Sequence, residues 1–337
     1  MYYPLGCNRS AWTVTLPGHA STLSCPRARE VTLPTIRAEF GAELELALPL
    51  VWWLTSTCGV VVKVSSCGDA APFWWFADYK PTNCTRSESR NMQFCCSIGG
   101  WLPHLTPSGS PINPCHLGTS LLGGLGSNYS AQLRKFAQPR MGGACNRVLS
   151  RRRGRPVVFI SNKVQLEWGG PPVNSLPLDT LSALHSLLGG RAQLVYHRAD
   201  LGPQQADEPD LRPAAHSAFA SIFGKHSREE RAWLKEHADI VSTRQAWNAA
   251  YGTHDTRAFN EFQLCIMAQS DAFVTTQGGP SRAALLFRKP TLIYHARGAD
   301  NYENLRHFTG NSEVRVTSNS SGLLDRRWWD THLTTPH

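Results

Sequence analysis

The chain has 337 residues, 34 Lys+Arg against 25 Asp+Glu (formal net charge +9), 41% hydrophobic residues and 10 Cys. At about 100–200 residues per domain, this length predicts two domains with real cores. The apolar fraction excludes wholesale disorder. No clean apolar run of about 18 residues occurs, which excludes a transmembrane bundle; the best stretch, Leu44–Val64, is broken by Glu45, Pro49 and a Ser56–Gly59 kink.

Nine cysteines lie at or before Cys145, and only Cys265 follows. No CxxC pair is present, since Cys95 and Cys96 are adjacent, so a zinc site is not expected. Residues 1–10 lack the basic start and apolar run of a signal peptide. The expectation is reduced thiols, some of them buried, in a cytoplasmic chain. The sequons at Asn8, Asn83, Asn128 and Asn319 matter only in a secretory lumen, and without a leader they read as chance.

In chain order, residues 1–33 mix Pro, Cys, Arg and Ser and read as a poorly structured lead-in. Residues 34–96 form a first, partial domain. Its apolar spacing predicts a helix from Ala38 to Leu54, then a buried strand Val60–Val64. Phe73–Phe76 is a further strand or an apolar lip. Residues 97–156 hold 10 Gly and 6 Pro and read as linker or irregular structure. The block Arg151–Arg155 sits there as a solvated linker, and nucleic acid is an unlikely partner.

After Pro156 the pattern is regular. Val157–Ile160, Ala192–Tyr196, Ala238–Val241, Ala272–Thr276 and Thr291–Tyr294 read as strands. Leu178–Leu188, Arg257–Ser270 and Ser281–Phe287 read as helices. This alternation predicts an α/β domain over 157–310 with a doubly wound parallel sheet, followed by a tail, 311–337.

The unit most informative for chemistry is strand 272–276, its turn Gln277-Gly278-Gly279-Pro280, and the helix opening at Ser281. Ligands of doubly wound sheets sit outside the carboxyl ends of strands. Two glycines let backbone approach a ligand, Ser281 can cap the helix, and first-turn N–H groups suit a phosphate. A tight turn that binds nothing explains the same residues equally well.

The stretch Ala268–Ser281 with Lys289–Tyr294 resembles the C-terminal donor-binding half of GT-B glycosyltransferases, and 157–310 is similar in layout. Phe40–Leu50 resembles the opening helix of their N-terminal acceptor domain. The resemblance implies a nucleotide-diphospho-sugar donor, with its diphosphate held by the turn and the helix start. Asn162 and Lys163, after the first strand, would hydrogen-bond and neutralise the leaving group. Arg198 suits bidentate phosphate contact, or pairs with Asp200; His197 is a base or a stacked ring. Glu261 grips a ribose or simply favours its helix terminus, and Arg297 is a phosphate contact or plain surface. Glu43 or Asp78 would supply the general base toward the acceptor.

No D-x-D triplet, G-x-S-x-G elbow or H-E-x-x-H pair occurs. The resemblance implies hexosyl or fucosyl transfer to a glycan or other hydroxyl acceptor, and without a D-x-D anchor no bound metal is expected, nor any cofactor besides the donor. A GT-B-like sugar-nucleotide epimerase and a non-catalytic nucleotide-binding module with a degraded N-terminal half are the alternatives.

Overall fold

Two parallel sheets organise the chain. The computed structural model describes residues 25–37, 41, 43–82, 129–133, 142–149, 154–163, 175–198, 228–251, 256–296 and 313–333. They fall into two compact units, the first ending at Tyr129 and the second holding the described residues from Ser130 on.

In the first unit, β1 (Glu30–Thr32), β2 (Val61–Cys67) and β3 (Asp78–Thr82) lie in the order β1-β2-β3. All pairings are parallel, with Val31 opposite Val62 and Val64 opposite Tyr79. Chain structure thus begins inside the stretch expected as a lead-in. Between β1 and β2 comes a π-helical turn, Glu43–Ala47, continuing into helix α1, Leu48–Ser56. Pro49 sits in the first turn of α1, where the π-helical turn passes into the α-helix. Leu48, Leu50, Val51 and Leu54 are buried.

Phe73–Phe76 is not a strand. Gly68–Trp74 forms a 3₁₀ turn with Pro72 inside it, and Phe73 and Trp74 are both buried. Adjacent strand residues point to opposite faces, whereas this turn carries both rings inward. Trp52, Phe76 and Tyr129 pack edge-on around it, with centroid distances of 5.0–5.9 Å. The Tyr129 hydroxyl donates to the Phe73 carbonyl at 3.1 Å.

The second unit is built on β4 (Val157–Asn162), β5 (Gln193–Arg198), β6 (Val241–Ser242), β7 (Ala272–Thr276), β8 (Thr291–Tyr294) and β9 (Val314–Thr317). The order is β6-β5-β4-β7-β8-β9, and every pair is parallel. This is the expected doubly wound sheet. The β-branched and aromatic run of β4 is buried at all six positions, as a central parallel strand covered on both faces must be. Its helices are α2 (Gly142–Leu149), α3 (Leu178–Leu188), α4 (228–236), α5 (Thr243–Tyr251), α6 (Thr256–Ala268), α7 (Gly279–Leu286), α8 (Ser320–Leu323) and α9 (Arg326–His332). On α3 the buried residues Thr180, Leu181, Leu184 and Leu188 follow the 3–4 residue spacing of one helix face. Leu181, Leu184 and Leu188 join Val158, Ile160, Leu194, Val274, Trp233 and Trp329 in one core cluster.

Two segments differ from expectation here. The 311–337 stretch is no tail: it supplies β9 and α9, and Trp329 of α9 is fully buried. Within the expected linker, Gly142–Leu149 is the helix α2.

The thiol expectation is overturned. Cys25 is bonded to Cys58, Cys145 of α2 is bonded to Cys265 of α6, and Cys67 is also disulfide-bonded. No free cysteine is found among the described residues. Sequence spacing carried no sign of this, because a disulfide needs Cα atoms about 4.4–6.8 Å apart in space. These pairs stand at 5.3 and 6.2 Å across 33 and 120 residues of sequence.

Candidate functional site

The chain runs from β4 outward to β5 and β6, then returns to β7 on the other side of β4. The strand order therefore reverses between β4 and β7, and crevices outside such a switch point are where open α/β sheets bind ligands. Asn162 ends β4 and Lys163 follows it; Gln277–Ser281 follow β7. These two segments, remote in sequence, lie side by side: the backbone N–H of Lys163 donates to the Thr276 hydroxyl at 3.1 Å.

The turn after β7 has the geometry its glycines imply. Gly278 is the N-cap of α7 at φ 103°, ψ −153°, a region essentially closed to other residues. Pro280 occupies the first turn. Ser281 is not the cap that was expected. Its buried hydroxyl donates to the Gly278 carbonyl at 2.7 Å, which braces the turn from within. The Arg282 N–H is bonded back to the Gly278 carbonyl at 3.3 Å, so the Gly279 and Ser281 N–H groups are those the helix leaves without an acceptor of its own. Gln277 is buried, and its N–H donates to the Tyr294 carbonyl at 3.2 Å.

One row of residues was not visible in the sequence. Ser161 of β4 and Thr275 of β7 are direct register partners, one position before the strand ends. Both are buried, and neither hydroxyl has a hydrogen-bond partner among the described residues. Alternation in β4 and β7 was the available signal, since it puts both on the face opposite Ile160 and Val274.

Asn162 and Arg198 belong to a different arrangement from the one expected. By the same alternation they share the face of Ile160 and Tyr196, which is packed into the core cluster. The Asn162 amide donates to the Tyr196 hydroxyl (3.1 Å) and to Glu230 Oε1 (3.0 Å), and its oxygen accepts from the Leu176 N–H at 2.8 Å. Tyr196 donates to the same Glu230 oxygen at 2.8 Å. Arg198 is ion-paired with Glu230 of α4, and the two side chains are 2% and 4% exposed. Burial, with the nearby Glu230 charge second, holds the Tyr196 hydroxyl well above its ordinary pKa, so it stays a donor. Arg198 is thus a buried ion-pair partner of Glu230, Asp200 lies outside the described residues, and Asn162 spends its amide inside the fold.

His197 faces the other way. It stacks on Phe159 (5.7 Å) and Phe259 of α6 (5.9 Å), and its Nδ1 lies 3.0 Å from the Thr243 hydroxyl. It is a buried ring rather than an open base. Burial first, and the Arg244 charge second, lower its pKa from 6.5 to about 3. Above pH about 6.5 the ring is neutral folded and unfolded alike. Below that, only the unfolded chain takes the proton. Stability attributable to this site should then fall by about 1.4 kcal/mol per pH unit until about pH 3. Urea unfolding of the parent and of His197→Gln across this range should show a shallower acid loss in the variant. Identical slopes would refute the assignment.

Glu261 is half-buried on α6, and Arg297 lies outside the described residues. In the first unit Glu43 is buried and accepts from the Trp74 indole at 2.7 Å, while Asp78 is exposed at the head of β3. Among the described residues no group of three or more His, Cys, Asp or Glu could hold a metal ion, and no helix is long and apolar enough to cross a membrane.

No protein-family model matches the sequence, and no curated protein does. Solved structures similar to the chain include E. coli ADP-heptose lps heptosyltransferase II, at 12% identity and TM-score 0.39, covering 90% of this chain and 98% of that one. An E. coli heptosyltransferase solved with ADP is 8% identical with TM-score 0.49, covering 90% and 99%. The UDP-GlcNAc 2-epimerase of Methanocaldococcus jannaschii is 11% identical with TM-score 0.40, covering 91% and 70%. The fold assignment for this chain rests on its own strand order and register.

Proposed function

We propose that the second unit binds a nucleotide-diphospho-sugar outside the carboxyl ends of β4 and β7, and that the protein transfers the sugar to an acceptor hydroxyl. The observation that carries this reading is the junction of the Lys163 and Gln277–Ser281 segments at the point where strand order reverses. The diphosphate would lie against the Gly279 and Ser281 N–H groups at the positive end of α7. Lys163, beside it, would offset the charge that grows on the leaving diphosphate as the anomeric C–O bond breaks. Ser161 and Thr275 add two buried hydroxyls without a partner among the described residues, where a water or ligand oxygen would complete their hydrogen bonding. The motif-level resemblance of 268–294 to GT-B donor domains supports the choice of ligand class.

A thermal-shift screen with UDP-, GDP- and ADP-sugars tests the reading. A ligand at 100 times its Kd should stabilise the native chain by about 2.7 kcal/mol. Lys163→Ala should weaken binding about tenfold or more, the worth of a hydrogen bond to a charged group. Gly278→Val should abolish it. Release of nucleoside diphosphate only when acceptor is added marks transfer, whereas an epimer formed from donor alone marks epimerisation. A chain that binds no nucleotide sugar at millimolar concentration would defeat the proposal.

A further inference from the structure

We propose that Asn319 is the acceptor of an N-linked oligosaccharide, attached while the chain folds in an oxidising secretory lumen. Two independent observations meet here. The first is redox state: Cys25, Cys58, Cys67, Cys145 and Cys265 are all disulfide-bonded. Such cross-links form and persist in oxidising compartments and are rare where glutathione keeps thiols reduced. The second is local geometry. Asn319-Ser320-Ser321 satisfies the N-x-S/T pattern with no proline in the middle. The asparagines of the other three sequons lie outside the described residues.

Asn319 is exposed and extended (φ −139°, ψ 159°), and it is the N-cap of α8. Its Oδ1 accepts from the Gly322 N–H at 3.0 Å and from the Ser321 hydroxyl at 2.8 Å, and it lies 3.3 Å from the Thr317 hydroxyl. Each of these side-chain bonds ends on the oxygen. The amide nitrogen, which is the atom glycosylated, takes part in none of them and sits on an exposed residue. A glycan on nitrogen therefore leaves the cap of α8 intact.

The chemistry balances with a lipid-diphosphate-linked oligosaccharide as co-reactant. The Asn319 amide nitrogen bonds to the anomeric carbon and gives up one proton to a base of the transferring enzyme. The anomeric C–O bond breaks, and its electron pair leaves with the lipid diphosphate.

Protein isolated from its own cells, alkylated without reductant, is digested with trypsin before and after peptide-N-glycosidase treatment in ¹⁸O water. Peptide 316–326 holds Asn319 as its one asparagine. It is expected to appear only after glycosidase treatment, carrying the mass of ¹⁸O-labelled deamidation. Full-length chain made with a secretion leader in eukaryotic cells should lose one glycan-sized gel step in Asn319→Gln and in Ser321→Ala, and keep it in Ser321→Thr. Unmodified peptide 316–326 from the native protein overturns the proposal.

Discussion

Replacing Glu230 with alanine is expected to destabilise the second unit by about 3–5 kcal/mol, the cost of leaving one partner of a buried ion pair without the other. The Arg198 side chain is 2% exposed, so water cannot replace the lost carboxylate. Tyr196 and Asn162 lose an acceptor in the same stroke, since both donate to Glu230 Oε1. Nor is the strain local. Glu230 reaches from α4 to the ends of β4 and β5, so the change loosens a helix from the centre of the sheet. Removing both charges is different. Arg198→Met with Glu230→Leu replaces the pair by apolar groups of similar volume, and such exchanges are often neutral or stabilising. The double variant should recover most of the loss in urea unfolding. If Glu230→Ala alone unfolds at the parent's midpoint, the buried network does not hold α4.

Breaking the Cys145–Cys265 bond is expected to cost about 2–5 kcal/mol. The cross-link ties α2 to α6 across 120 residues, and closing so long a loop removes much of the unfolded chain's freedom. The Gln269 amide lies 3.1 Å from the Cys145 sulfur and 3.5 Å from that of Cys265, so the neighbourhood is ordered around the pair. The paired variant Cys145→Ala, Cys265→Ala should melt well below the parent without reductant, and reductant should bring the parent's melting point down toward the variant's. Differential alkylation of the unreduced protein supplies an independent check. Label on Cys145 or Cys265 would contradict the pairing.

What could be read ahead of the fold was local. Val157–Ile160, Ala272–Thr276 and Thr291–Tyr294 announce themselves because a strand covered on both faces needs an unbroken apolar run. β9 did not, since Val314-Arg315-Val316-Thr317 is an edge strand buried only at Val314 and looks like any polar stretch. The glycines at 278 and 279 were legible as a turn for a physical reason: φ 103° at Gly278 is a conformation other residues avoid. The wrong assignments share one origin. Asn162 and Arg198 stand at strand ends, as a phosphate site requires, yet a strand end has two faces. Alternation from Val158 and Ile160 puts Asn162 on the packed face. Only the placement of α4 shows that a carboxylate waits there.

The order of residues was enough to establish a doubly wound parallel domain after residue 156 and a glycine turn leading into a helix, because period, burial run and backbone freedom are properties of neighbours along the chain. Which side chains meet was settled in three dimensions. Lys163 comes beside Thr276 across 113 residues of sequence, Arg198 beside Glu230 across 32, and Cys145 beside Cys265 across 120. Such contacts depend on strand order and on the face each residue occupies, and neither is written in local spacing. The +9 charge shows the same division: composition counts the cations, while the fold decides that one of them, Arg198, is spent inside the protein.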